Sequence, residues 1–210
     1  MGESWEFSCD PDFPSLILGE SMSLKELIEK TDGDVLGDQA QEKSCQLLVK
    51  LISTSMPLSI QVHPADNDPN LQAHESGKPE SWLILDHKPS AGIYLGIKPG
   101  ADLSQLKNSK DLHKVMNFIE VQKNDYFEIT PGTPHAIGDG VTLLEPQRIL
   151  FGKSGKTFRL SDWQRRYNSK GELDPQSGSP RDREHRLLSP VSDDFERAPS
   201  RSAPAHDRQR

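Results

Sequence analysis

At 210 residues the chain is long enough for one substantial domain with an appendage. A formal charge of −7 argues against general nucleic-acid binding, and no apolar run approaches the length of a membrane span. Cys9 and Cys45 show no paired spacing, and the opening Met1-Gly2-Glu3-Ser4-Trp5 lacks a signal-peptide pattern, so the expectation is a cytoplasmic protein.

The hydrophobic fraction of 33% is low, and the C-terminal stretch accounts for it. Residues 168–210 hold five Pro, few large apolar side chains and eight basic against eight acidic residues, which leaves the whole net charge on residues 1–167. Such a segment cannot bury enough apolar surface to offset its ordering entropy, so residues 1–167 are expected to be the folded domain and 168–210 a disordered tail.

In chain order, Glu3–Ser8 alternates as a strand, and Ser23-Leu24-Lys25-Glu26 has the spacing of a capping box at the start of a short helix. Gln46–Ser53 is a β-rich run broken by one charge, Lys50, which pattern alone reads as an edge gatekeeper or a cavity-facing cation, with the edge slightly favoured. Ser59–His63 follows as a short buried strand. Its alternation sends Leu58, Ile60 and Val62 to one face and Ser59, Gln61 and His63 to the other, with Gln61 and His63 about 6–7 Å apart. In the next strand Glu80, Trp82 and Ile84 share a face.

Ala91–Ile97 predicts a further strand, Asp102–Lys107 and Asp111–Met116 two short helices, and Phe118–Val121 and Tyr126–Thr130 two strands joined at Lys123-Asn124-Asp125. The run from Pro131 to Gly140 makes a tight corner that delivers His135; Val141–Glu145 and Thr157–Ser161 resume the strand pattern. Many short strands with rich turns and little helix describe an all-β barrel or double-sheet sandwich.

Gln61, His63, Glu80 and His135 therefore sit at strand ends and corners where they can converge. Two imidazoles, a carboxylate and an amide oxygen suit a borderline divalent ion, Zn²⁺ first, with non-haem Fe(II) the competing reading.

Several motifs in the same order resemble type I mannose-6-phosphate isomerase: Ser-Ile-Gln-Val-His-Pro at 59–64, Lys-Pro-Glu-Ser-Trp at 78–82, Pro-Gly-Thr-Pro-His-Ala-Ile-Gly at 131–138 and Leu-Leu-Glu-Pro-Gln at 143–147. The opening Gly2-Glu3-Ser4-Trp5-Glu6 and Phe158-Arg159-Leu160-Ser161-Asp162-Trp163 also match, so the resemblance covers about residues 2–167. It implies a cupin, a jelly-roll β-barrel, holding one Zn²⁺ per chain on Gln61, His63, Glu80 and His135, in a monomer acting on a hexose 6-phosphate.

By the same resemblance Lys50 becomes a cavity cation, and Lys78, Glu145 and Arg159 join it as catalytic or substrate-binding residues. The implied reaction interconverts mannose 6-phosphate and fructose 6-phosphate through an enediol. Family members usually carry a further N-terminal segment and a second cupin-like region. The alternative expectation is accordingly a shortened, non-catalytic cupin that binds metal or sugar phosphate.

Overall fold

The computed structural model describes residues 2–32, 34–37, 45–101, 109–150, 152–177, 179–180 and 201–202. Two antiparallel sheets make up the body. The first runs β1 (Gly2–Phe7), β2 (Leu47–Ser53), β10 (Val141–Arg148), β5 (Glu80–His87), β8 (Tyr126–Ile129) and β15 (Arg201–Ser202) in spatial order. The second runs β12 (Phe158–Ser161), β3 (Ile60–Val62), β9 (His135–Ile137), β6 (Gly92–Ile97) and β7 (Met116–Glu120). Two small pairs complete the set: β4 (Glu75–Ser76) with β11 (Ser154–Gly155), and β13 (Arg166–Tyr167) with β14 (Ser179–Pro180). Arg166–Tyr167 thus pairs with residues that the sequence assigned to the tail.

The main core lies between the sheets. Ile52, Trp82, Ile84, Phe127, Val141 and Leu143 project from the first sheet and meet Ile93, Leu95 and Ile137 from the second. Each such fully buried side chain contributes about 1.5–3 kcal/mol relative to exposure. A smaller core on the outer side of the second sheet joins Ile60, Ala136 and Ile97 to Leu112, Val115 and Met116. Strand alternation explains the division: on β9, Ala136 faces the outer core while His135 and Ile137 face inward.

The helix α1 (Leu24–Lys30) begins with the expected reciprocal cap. The Ser23 hydroxyl accepts from the Glu26 amide at 3.2 Å, and the Glu26 carboxylate accepts from the Ser23 amide at 2.7 Å.

Four expectations are corrected. β2 lies inside its sheet between β1 and β10, so Lys50 is not an edge residue. Leu58 does not share a face with Ile60: it precedes β3 and packs against the inter-sheet core, while Ile60 belongs to the outer one. Asp111–Met116 is not a helix throughout, because a 3-10 helix spans Ser109–Val115 and Met116 already opens β7. β10 does not stop at Glu145; it continues through Pro146 to Arg148. The missing proline donor is tolerated because pairing to β5 is made at Leu144 and again at Gln147, skipping Pro146. The expected helix at Asp102–Lys107 and most of the expected tail lie outside the described residues.

Candidate metal centre and its cavity

Three strands converge on a buried cluster. His63 follows the last residue of β3, Glu80 opens β5, and His135 opens β9, with side-chain exposures of 2%, 1% and 0%. Their ligand atoms all lie within 4.8 Å of one another. Glu80 Oε2 stands 3.4 Å from His63 Nε2, and Glu80 Oε1 stands 3.3 Å from His135 Nε2.

The outer nitrogen of each ring is already committed. His63 Nδ1 lies 3.1 Å from the Lys156 carbonyl oxygen, and His135 Nδ1 lies 2.8 Å from that of Thr133. A carbonyl can only accept, so each ring carries a proton on Nδ1 and, when neutral, turns the Nε2 lone pair toward the Glu80 carboxylate. Three acceptors facing one another call for a cation. Glu80 Oε2 and His135 Nε2 are buried without a hydrogen-bond partner, as expected of atoms shaped to hold a metal ion. This donor set fits a divalent metal.

Protonation states agree with that fit. Burial is the main influence on His63 and lowers its pKa; the Glu80 contact opposes it and the Lys78 ammonium adds to it, and the net shift is downward, so the imidazole is neutral. Burial works against the Glu80 charge, but the two imidazole contacts and the Lys78 ammonium outweigh it and hold the carboxyl well below its usual range. Lys78 Nζ lies 3.2 Å from Glu80 Oε2 and 3.5 Å from His63 Nε2.

Gln61 is the fourth expected ligand. Its backbone is in register with His135 on one side and Arg159 on the other, and its side chain lines an adjoining cavity of about 510 Å³. Lys50, Lys78, Glu145 and Arg159 line the same cavity, so every residue singled out from the sequence belongs either to the cluster or to the space beside it.

Among the described residues that line it, the charges of the cavity are arranged in pairs with one exception. Lys50 meets Glu145 at 3.2 Å and donates to Gln147 Oε1 at 2.9 Å; Lys78 is held by Glu80; Arg165 is paired with Asp162, which also accepts from Tyr167 Oη at 2.7 Å. Among the described lining residues, Arg159 is the cation without an ion-pair partner, and its Nε is buried without a hydrogen bond. A guanidinium in that condition is ready for an anionic ligand.

The sequence reading missed Gln147, Asp162, Arg165, Tyr167 and the indole of Trp82 as parts of this site. Gln147 was visible in principle, two residues beyond Glu145 and hence on the same strand face. Arg165 and Tyr167 follow two residues with positive φ, Trp163 and Gln164, a turn that no periodicity announces.

Residues 1–108 match the family model for the catalytic domain of type I phosphomannose isomerase. The chain belongs to that family. Among curated phosphomannose isomerases, ManA from Bacillus subtilis is 30% identical over 181 residues, covering 82% of this chain and 54% of its own length. The mannose-6-phosphate isomerase of Streptococcus mutans is 31% identical over 171 residues, covering 79% of this chain and 52% of its own. The chain therefore spans about half the length of these relatives.

The crystal structure of the Bacillus subtilis mannose 6-phosphate isomerase superposes with a TM-score of 0.64 at 31% identity, over 82% of this chain and 55% of that one. A mannose 6-phosphate isomerase bound with zinc and yttrium shares the fold at 17% identity, with a TM-score of 0.55, over 76% of this chain and 62% of that one. The two-sheet architecture is thus that of phosphomannose isomerases, the cupin barrel expected from the motifs.

Proposed function

We propose that the chain is a zinc-dependent aldose-ketose isomerase that interconverts mannose 6-phosphate and fructose 6-phosphate. The observation that carries this reading is the closure of His63, Glu80 and His135 around a common point beside a cavity whose unpaired cation, among the described lining residues, is Arg159. The relatives that bear the name of this activity support it.

Moving a proton between C1 and C2 of a hexose requires a base beside the carbon skeleton, donors at the two oxygens that exchange carbonyl and hydroxyl character, and an anchor for the phosphate. Glu145 is the base in this reading: it takes the C2 proton of the aldose and returns it to C1 of the enediol. Lys50, bonded to Glu145, and Lys78 serve the two oxygens: one ammonium gives a proton to O1 as the carbonyl becomes a hydroxyl, and the amine left behind takes the proton that O2 gives up as it becomes the carbonyl. Arg159 binds the phosphate with two parallel N–H donors. Zinc, held by His63, Glu80 and His135 with Gln61 as the fourth ligand, supplies Lewis-acid polarisation of the sugar oxygens when bound. The aldose is mannose 6-phosphate, a cytoplasmic metabolite, and the enzyme acts as a monomer.

The test is coupled-assay turnover of mannose 6-phosphate by the purified 210-residue chain before chelation, after it, and after zinc is restored. Activity that disappears and returns bears the reading out. One bound zinc with no turnover would instead make the chain a metal-binding or sugar-phosphate-binding cupin.

A further inference from the structure

The indole of Trp82 touches both halves of this site. It lies on β5 two residues after Glu80, on the same face, and is 1% exposed. Its Nε1–H donates to Glu145 Oε2 at 3.0 Å, while Lys50 holds the other carboxylate oxygen at 3.2 Å. Its ring meets the His135 imidazole edge-on, with centroids 5.6 Å apart and planes at 76°.

A fully buried indole needs some acceptor, and a backbone carbonyl ordinarily serves. Trp163 follows that pattern, donating to the Leu58 carbonyl at 2.6 Å. Trp82 instead spends its single donor on a carboxylate that faces the cavity. A carboxylate held by two donors has its in-plane rotation fixed, which is what a proton-abstracting group requires and what a free Glu side chain, with three rotatable bonds, does not provide.

We infer that Trp82 is a positioning residue that fixes the Glu145 carboxylate at a set place relative to the His63, Glu80 and His135 cluster, acting through its indole N–H. The inference rests on the isomerase reading above, and within it assigns a role to a residue that otherwise passes as core. Trp82 lines the same cavity, and its effect on turnover runs through Glu145.

The decisive variant is Trp82→β-(3-benzothienyl)alanine, which keeps the bicyclic shape and replaces the N–H with sulfur. We expect kcat on mannose 6-phosphate to fall by about 10- to 100-fold, the scale of a misplaced catalytic group, with KM changed by less than about threefold and the metal content unchanged. Trp82→5-fluorotryptophan, which retains the donor, is expected to recover kcat relative to the benzothienyl variant. Trp82→Phe serves as a second donor-free variant should the first fail to fold.

A benzothienyl chain with undiminished kcat overturns the inference, as does an equal loss in the 5-fluorotryptophan chain. Failure of both donor-free variants to fold would assign Trp82 to the core alone and overturn it too. Absence of turnover in the unsubstituted chain would sink the isomerase reading first; turnover in that chain with no effect of removing the donor would sink this inference alone.

Discussion

Lys50 and Glu145 are register partners across the β2 and β10 pair, and their side chains close on each other at 3.2 Å inside the cavity, with 12% and 7% exposure. The pair is compensated as a unit, and removing one member strands the other. Lys50→Met should therefore destabilise the fold by about 3 kcal/mol, read as a lower urea midpoint at unchanged slope. Adding Glu145→Gln to it should recover part of the midpoint while leaving turnover abolished.

Metal removal should destabilise the chain as well as inactivate it. A ligand at 100 times its Kd adds about 2.7 kcal/mol, or about 5–10 °C for a domain of this size. Chelation should lower Tm by that amount, and Zn²⁺ should restore it. Glu80→Gln, which removes the charge between the two imidazoles, should bind less than a tenth of the wild-type zinc by elemental analysis. If Glu80→Gln kept its full metal complement, the three-residue centre would be wrong.

The loop between β3 and β5 is tied to the end of β10 by Asp66, which takes both terminal nitrogens of Arg148 at 2.6 and 2.7 Å and accepts from the Gly77 amide at 3.0 Å. The Arg148 hydrogen bonds hold the Asp66 carboxyl below its ordinary value of 3.8. A depressed acid stabilises the fold above its unfolded pKa and loses that contribution as pH falls through the folded one. Asp66→Asn should thus lower Tm at pH 7 by only about 1–3 °C, since the side chain is half exposed and screened by water. The difference from wild type should shrink as pH drops below about 4.

Gly138, the residue after β9, donates its amide to the carbonyl of Gly92 at the start of β6 at 2.9 Å. A Cβ at 138 would fall inside contact distance of that carbonyl oxygen, which is backbone and cannot rotate away. Gly138→Ala should cost about 1–3 kcal/mol, in the range of overpacked cores, even though it adds one methyl. A Tm within 1 °C of wild type would show that the strands separate more easily than their packing suggests.

Much of this was legible in the chain. Period-two alternation placed Glu80, Trp82 and Ile84 on one face, and Gln61 with His63 on another, and those assignments carry the site. Leu58 was misplaced because alternation holds only within a strand, and β3 starts two residues later. Lys50 was ambiguous because a lone charge in an apolar run has the same pattern at an edge and beside a cavity; only the position of β2 between β1 and β10 separates them. Cys9 and Cys45 show what spacing cannot reveal. The two free thiols are neighbours, and burial together with Cys45 pushes the Cys9 thiol up to about 12. Their proximity comes from the antiparallel pairing of β1 and β2, a long-range contact without a local signal.

Along β10, Val141, Leu143, Glu145 and Gln147 are buried while the alternate positions are half-exposed. The same face is thus oily at one end and chemically active at the other, and the change happens in a single step between Leu143 and Glu145. Loss or gain of one residue anywhere upstream in that strand would turn the whole face over, carrying the carboxylate to the outside and Pro146 into the cavity. The strand therefore tolerates substitution in a two-beat rhythm but not a change of length, and any lineage of this protein is free to vary its loops far more than the spacing between Val141 and Gln147.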